Sequence, residues 1–203
     1  MLCQVRLKQI TTSFFLTNNQ HINKMKRKNA IIGVAGVLAI GTTALVIAQK
    51  YRTVKDPLET VEYVNLQKYL GLWYDVAHYP SRFQRNTSYS QANYSLRKDG
   101  KIEVFNSCLK NGEPDDVRGK AWIVDKKTNA KLKVQFFWPF AGDYWILELA
   151  EDYRYALVGE PKREYVWLLS RTPKLADADK NFLLKQLALH GYSADKLHWE
   201  KQE

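Results

Sequence analysis

The chain has 203 residues, a length for one medium domain or two very small ones. Aromatic residues make up 13% of it, with 6 Trp and 12 Tyr, which excludes a disordered chain. Two cysteines without CxxC spacing exclude a disulfide framework, a zinc ribbon and a thioredoxin-like site. The formal charge of +10 suggests a polyanionic partner, but its distribution says otherwise. Seven of the 31 basic residues fall in the first 50, with no Asp or Glu, leaving 24 basic against 21 acidic in the remainder. That near balance argues against a nucleic-acid module, which needs a basic, aromatic-interleaved strand face.

Residues 30–48 form an uncharged run of 19. As a helix it spans about 28 Å, close to the hydrocarbon thickness of a bilayer. Lys24, Lys26, Arg27 and Lys28 precede it and favour the cytoplasmic side, so the rest of the chain is expected in the envelope space. The run reads either as a cleaved signal ending at Ala48 or as an uncleaved anchor. Its length exceeds the usual signal core of about 7–15 residues and favours the anchor. No Cys stands in residues 49–60 for lipidation, and Met25 begins a conventional signal design. Residues 1–55 are therefore a targeting or anchor region with a linker, and residues 56–203 are the folded domain.

Strand signals then recur at regular spacing. They cover Trp73 to Tyr79, Thr87 to Arg97, Lys101 to Leu109, Val117 to Val124 and Lys131 to Phe136. Tyr144 to Leu149, Tyr155 to Val158 and Tyr165 to Leu169 follow. Asp99-Gly100 and Asn111-Gly112 mark turns, and Phe137 to Asp143 reads as a loop. The period changes at Ala176 to His190, which predicts a helix with Asp177 as N-cap and Gly191 at its C-terminus. A short last strand lies near Lys196 to Glu200. The short loops imply antiparallel neighbours, and closing the sheet removes its edges. The expected fold is all-β: an eight-stranded antiparallel up-and-down barrel, a C-terminal α-helix packed outside it, and an N-terminal hydrophobic helix before it.

Gly71-Leu72-Trp73-Tyr74-Asp75-Val76-Ala77 resembles the lipocalin signature Gly-x-Trp-Tyr-Glu-Ile-Ala at the first strand. Asp152 to Val158 resembles the second lipocalin block, and Leu168-Leu169-Ser170-Arg171-Thr172-Pro173 the third. Asn106-Ser107-Cys108, Gly119-Lys120-Ala121 and Pro139 to Leu147 fit the bacterial branch, whose relatives include apolipoprotein D. The resemblance covers about residues 62 to 201. It implies barrel closure by Gly71, Trp73 and Arg171, with the Arg171 guanidinium stacked on the Trp73 indole and bonded to backbone carbonyls. It also implies an apolar ligand in the lumen and a role in lipid storage, transport or membrane maintenance.

Loops alternate between the barrel ends, so the mouth is expected at Pro80 to Ser88, Lys110 to Asp116, Trp138 to Asp143 and Glu160 to Glu164. Period-two alternation places Ala77, Tyr79, Ala92, Tyr94, Val104, Asn106, Ala121, Phe136, Trp145, Leu147 and Trp167 on the inner wall. Tyr79, Arg82, Tyr94, Val104, Asn106, Phe136, Trp138, Trp145 and Trp167 are the candidate ligand contacts. That chemistry suits a fatty acid, a lysophospholipid or another flat apolar molecule, with an anionic head near Arg82 or Arg85. Cys108 is expected to point inward as a small hydrophobe. No cofactor, metal or nucleic acid is expected, and the protein is read as a monomer or homodimer on the periplasmic side of a bacterial envelope.

Two other readings compete. A barrel-based enzyme on a hydrophobic substrate finds no HExxH and no nucleophile elbow to support it. An outer-membrane barrel would need an apolar outer face.

Overall fold

The computed structural model of the chain describes residues 57–81 and 84–202. The apolar run at 30–48, the domain boundary at 55 and Arg82 lie outside those residues. Among the described residues no helix is long and apolar enough to cross a membrane.

A short helix α1 (Leu66–Tyr69) leads into eight strands: β1 (Gly71–His78), β2 (Thr87–Leu96), β3 (Ile102–Lys110), β4 (Glu113–Ile123), β5 (Lys131–Phe137), β6 (Phe140–Leu149), β7 (Tyr155–Gly159) and β8 (Val166–Ser170). Helix α2 (Asp177–Leu189) follows, then β9 (His198–Trp199). The strands pair in sequence order, β8 returns to β1, and β1 pairs with β2, closing the meander into a barrel.

Four strand ends run further toward the mouth than expected from the sequence. Asn111 and Gly112 both take positive φ (54° and 85°), the two-residue turn that suits a twisted hairpin, so β3 and β4 pair right up to Lys110↔Glu113. The expected loop at 137–143 is likewise mostly strand: Phe137 pairs with Phe140, and Trp138–Pro139 forms the tip. Asp177 is the first helical residue rather than the cap; Ala176 holds the cap position without a side-chain bond. Asp179 instead binds Arg154 through two bonds, 2.9 Å to Nε and 2.7 Å to Nη2. Gly191 takes φ +83° just past the helix, the left-handed geometry that ends helices.

The core has two parts. One lies inside the barrel around Trp73, Tyr94, Val104, Ile146, Val158 and Leu169. The other lies between the barrel wall and α2, where Leu183 and Leu187 pack on Val76, Leu147, Leu157 and Leu168. β6, β7 and β8 are therefore apolar on both faces. On β2 to β5 most outward positions are polar, among them Asn93, Ser95, Glu103, Arg118, Lys120 and Lys133, with Phe105, Leu109 and Trp122 the apolar exceptions. That is the outer face of a barrel in water, the opposite of a lipid-embedded one.

The C-terminus completes the wall. β1 pairs with β2 only from Gly71 to Tyr74, and residues 198–202 fill the gap above. Glu200 N–H donates to the Val76 carbonyl (3.0 Å) and Tyr89 N–H to the Lys201 carbonyl (2.7 Å). The Gln202 amide donates to the carbonyls of Asp75 and Ser90, both at 2.8 Å.

Candidate functional site: the barrel lumen

The floor is built from Trp73, fully buried, with its indole N–H bonded to the Tyr69 carbonyl at 2.8 Å. The Arg171 guanidinium lies 3.8 Å from the Trp73 ring centroid on the far side. Its donors reach the carbonyls of Leu72 (2.6 Å), Lys68 (2.7 Å), Leu70 (2.9 Å) and Tyr69 (3.2 Å). Arg171 thus caps the C-terminal carbonyls of α1 with one charged fork. Gly71 sits between, at φ +91°, and a Cβ there would lie 3.5 Å from Arg171 Nη1.

Above Trp73 three tyrosines converge. Tyr69 and Tyr94 stack at 5.9 Å between centroids, and both hydroxyls bond that of Tyr144, at 2.8 and 3.0 Å. Burial raises the pKa of all three, that of Tyr94 to about 12.

The inward side chains then differ in burial. Val104, Ala121, Ala156, Val158 and Ile146 are buried. Asn106, Cys108, Val134, Phe136 and Trp167 also point inward, yet they are only half-buried. Part of the surface of each is left uncovered by its neighbours. Gly119 has no Cβ, and one built there would meet the Gln135 carbonyl at 2.6 Å and the Phe136 ring at 2.7 Å.

The upper wall also holds a buried polar group absent from the sequence reading. Asp75 accepts from the Gln84 amide at 2.7 Å, and Gln84 accepts from the Trp167 indole N–H at 3.1 Å. His78 Nδ1 lies 2.9 Å from Asp75 Oδ2, at ion-pair distance though poorly aligned for a hydrogen bond. Burial works against the His78 charge, but Asp75 and then Glu200 outweigh it and raise its pKa above 6.5. Glu200 Oε1 accepts from the Ser90 hydroxyl at 2.6 Å.

The placements of the candidate contacts divide. Tyr94, Val104, Asn106, Phe136 and Trp167 face the lumen. Tyr79 does not: its hydroxyl bonds Ser193 and its ring packs on Tyr192 beneath the C-terminal segment. Ala77 lies in the same outer layer. A bulge between Asp75 and Ala77 switches the phase of β1, so alternation counted from Trp73 fails beyond it. Trp145 also faces outward, under the Lys131 ammonium at 4.4 Å, and Leu147 packs against the helix layer. In β6 both faces are apolar, so hydrophobicity alone does not set the phase. Trp138 stands at the hairpin tip, 86% exposed, on the rim rather than the wall.

A second concavity of about 420 Å³ lies outside the closed end, between Arg154, Ser170, Arg171 and the first turn of α2. Its main charges, Arg154 and Asp179, are spent on each other. Among the described residues no cluster of His, Cys, Asp or Glu is arranged to hold a metal.

Comparison with known proteins agrees with this architecture. Residues 64–202 match the lipocalin-like domain family. The chain is 39% identical over 155 residues to temperature-induced lipocalin-1 of Arabidopsis thaliana, covering 72% of this chain and 83% of that protein. It is 38% identical over 172 residues to the outer membrane lipoprotein Blc of Escherichia coli (strain K12), covering 82% and 96%. Apolipoprotein D of Mus musculus is 36% identical over 176 residues, covering 81% and 90%. Among solved structures, insecticyanin of the tobacco hornworm Manduca sexta superposes with a TM-score of 0.60 at 20% identity, covering 72% of this chain and 85% of that one. With its meander closed by β1 and β8, its Trp73–Arg171 floor and these relatives, the chain belongs to the lipocalin-like family.

Proposed function

We propose that the barrel holds one small apolar ligand, a fatty acid, lysophospholipid or similar single-chain lipid, and carries or stores it in a bacterial envelope. The observation that supports this most is that Asn106, Cys108, Val134, Phe136 and Trp167 point into the barrel yet are only half-buried, as a lumen open at the mouth would leave them. A filled barrel would bury them as completely as Trp73. Phe136 and Trp167 offer apolar area there, and an acyl chain gains about 0.8 kcal/mol per methylene it buries. At the rim, Phe137, Trp138 and Phe140 are 66%, 86% and 78% exposed on one hairpin. An apolar spot beside the opening suits loading from a lipid surface. Arg85 stands exposed on the β1–β2 loop, within the reach of a head group leaving the mouth.

The relatives and the N-terminal sequence together support the location. Proteins similar to this one are outer membrane lipoproteins. The basic residues before the apolar run orient the domain to the periplasmic side, anchored by residues 30–48 or released after cleavage, as monomer or homodimer. The test is titration of the full chain with cis-parinaric acid, read by quenching of tryptophan emission. Saturable binding of one probe per barrel at micromolar affinity or tighter is expected. No saturable binding, with tryptophan emission unchanged, refutes the reading.

A further inference from the structure

The three tyrosines at the floor leave a proton unused. Tyr69, Tyr94 and Tyr144 bring three hydroxyl protons, and the two contacts among them, at 2.8 and 3.0 Å, employ two. None of the three hydroxyls has another partner among the described residues. One O–H donor is therefore left over whichever way the two bonds run. Tyr69 and Tyr94 are 4% and 8% exposed. Tyr144 shares the inward phase of β6 with Ile146 and is less buried than its two partners.

We infer that this tyrosine cluster is a binding site at the bottom of the lumen for an uncharged oxygen acceptor (a ketone, ester carbonyl, ether or alcohol) carried on the inner end of an apolar ligand. The inference rests on the reading that the lumen takes a ligand. A buried donor without an acceptor is costly, so a ligand that supplies one is favoured over a bare hydrocarbon end. When Tyr144 accepts from both neighbours, its own O–H is polarised toward the ligand.

The charges around the path select a neutral group. The inward positions of the described strands carry no Lys or Arg between the floor and Lys110 at the rim. The Arg171 donors are turned away, onto backbone carbonyls beneath Trp73. Higher up, the wall carries two buried carboxylates, Asp75 and Glu200, against one buried imidazole, His78, which lies 2.9 Å from Asp75. An anionic head would have to pass them and then sit without a counter-charge. Burial keeps the tyrosines protonated through any physiological pH.

The test compares two probes of nearly equal shape, 2-acetylanthracene and 2-ethylanthracene, binding to the full chain. The ratio of their affinities is measured again in the triple variant Tyr69→Phe, Tyr94→Phe, Tyr144→Phe. The ratio is expected to fall about tenfold in favour of the hydrocarbon, the factor one hydrogen bond is worth. The affinity for 2-ethylanthracene is expected to hold or rise. An unchanged ratio overturns the inference. Should the triple variant fail to fold, the infrared C=O band of 2-acetylanthracene bound to the native chain decides. A band below its position in hexane supports the hydroxyl contact, and a band at the hexane position overturns it. If the native chain binds neither probe, the open-lumen reading fails and takes this site with it, a result distinct from equal binding of both.

Discussion

Replacing Arg171 by Lys keeps the positive charge at the barrel floor and removes the planar fork. In the structure the guanidinium serves five carbonyls, four at 2.6–3.2 Å and that of Tyr153 at 3.4 Å, and lies 3.8 Å from the Trp73 ring centroid. A lysine ammonium has three donors on a point charge and cannot span carbonyls of five residues while stacking flat. At least two charged hydrogen bonds are lost, worth about 1.5–3 kcal/mol each where water cannot replace them. Arg171 is partly exposed, so water reclaims some of that. Loss of the stack adds about 0.5–1 kcal/mol. The expected destabilisation is therefore about 2–4 kcal/mol. For a domain of this size it lowers the melting temperature by roughly 4–16 °C. Urea unfolding followed by tryptophan emission measures it, with Arg171→Met as the uncharged control. A loss below about 0.5 kcal/mol in the lysine variant, with a large loss in the methionine variant, would refute the fork and leave only the charge.

Gly159→Ala is expected to cost about 1–3 kcal/mol in urea unfolding. The new Cβ would stand 2.2 Å from the Tyr192 hydroxyl, which bonds both the N–H and the carbonyl of Glu160, and Tyr192→Phe with it should recover part of the loss. Titration of tyrosine absorbance is expected to show a set of phenols that resist ionisation to about pH 12, with Tyr94 and Tyr192 among them. Because these phenols ionise later in the folded state than in the unfolded one, stability is lost as pH rises above 10. His78 has the parallel sign. Its folded pKa is raised, so its contribution is complete below pH 6.5 and is lost as pH rises through the folded value. The melting temperature of the native chain should fall over that window more than that of His78→Gln, and equal slopes would remove His78 from the account. Asp75, Glu200 and His198 are the ionisable groups that face it.

The meander was legible because its signals are local. Asp99-Gly100 and Asn111-Gly112 end strands whose alternation is clean, and β2 to β5 have one wet face to set the phase. The phase was lost where a second layer covers the outside. Trp145 and Leu147 are as apolar as Tyr144 and Ile146, so β6 reads equally well either way, and the bulge after Asp75 in β1 leaves no mark in composition. The polar cluster joins Asp75 and His78 to Glu200 across more than a hundred residues, and the tyrosine cluster draws on α1, β2 and β6. Such groupings exist only once the barrel closes. The resemblance at Gly71, Trp73 and Arg171 pointed to the floor because both halves of that contact sit in recognisable blocks.

The central claim is that the lumen holds an apolar molecule. Native mass spectrometry of the full chain, purified from its own membrane, tests it most directly. One lipid-sized adduct per chain is expected, released when the barrel unfolds. A bare chain mass from the native protein, unchanged after incubation with excess fatty acid or lysophospholipid, would contradict it.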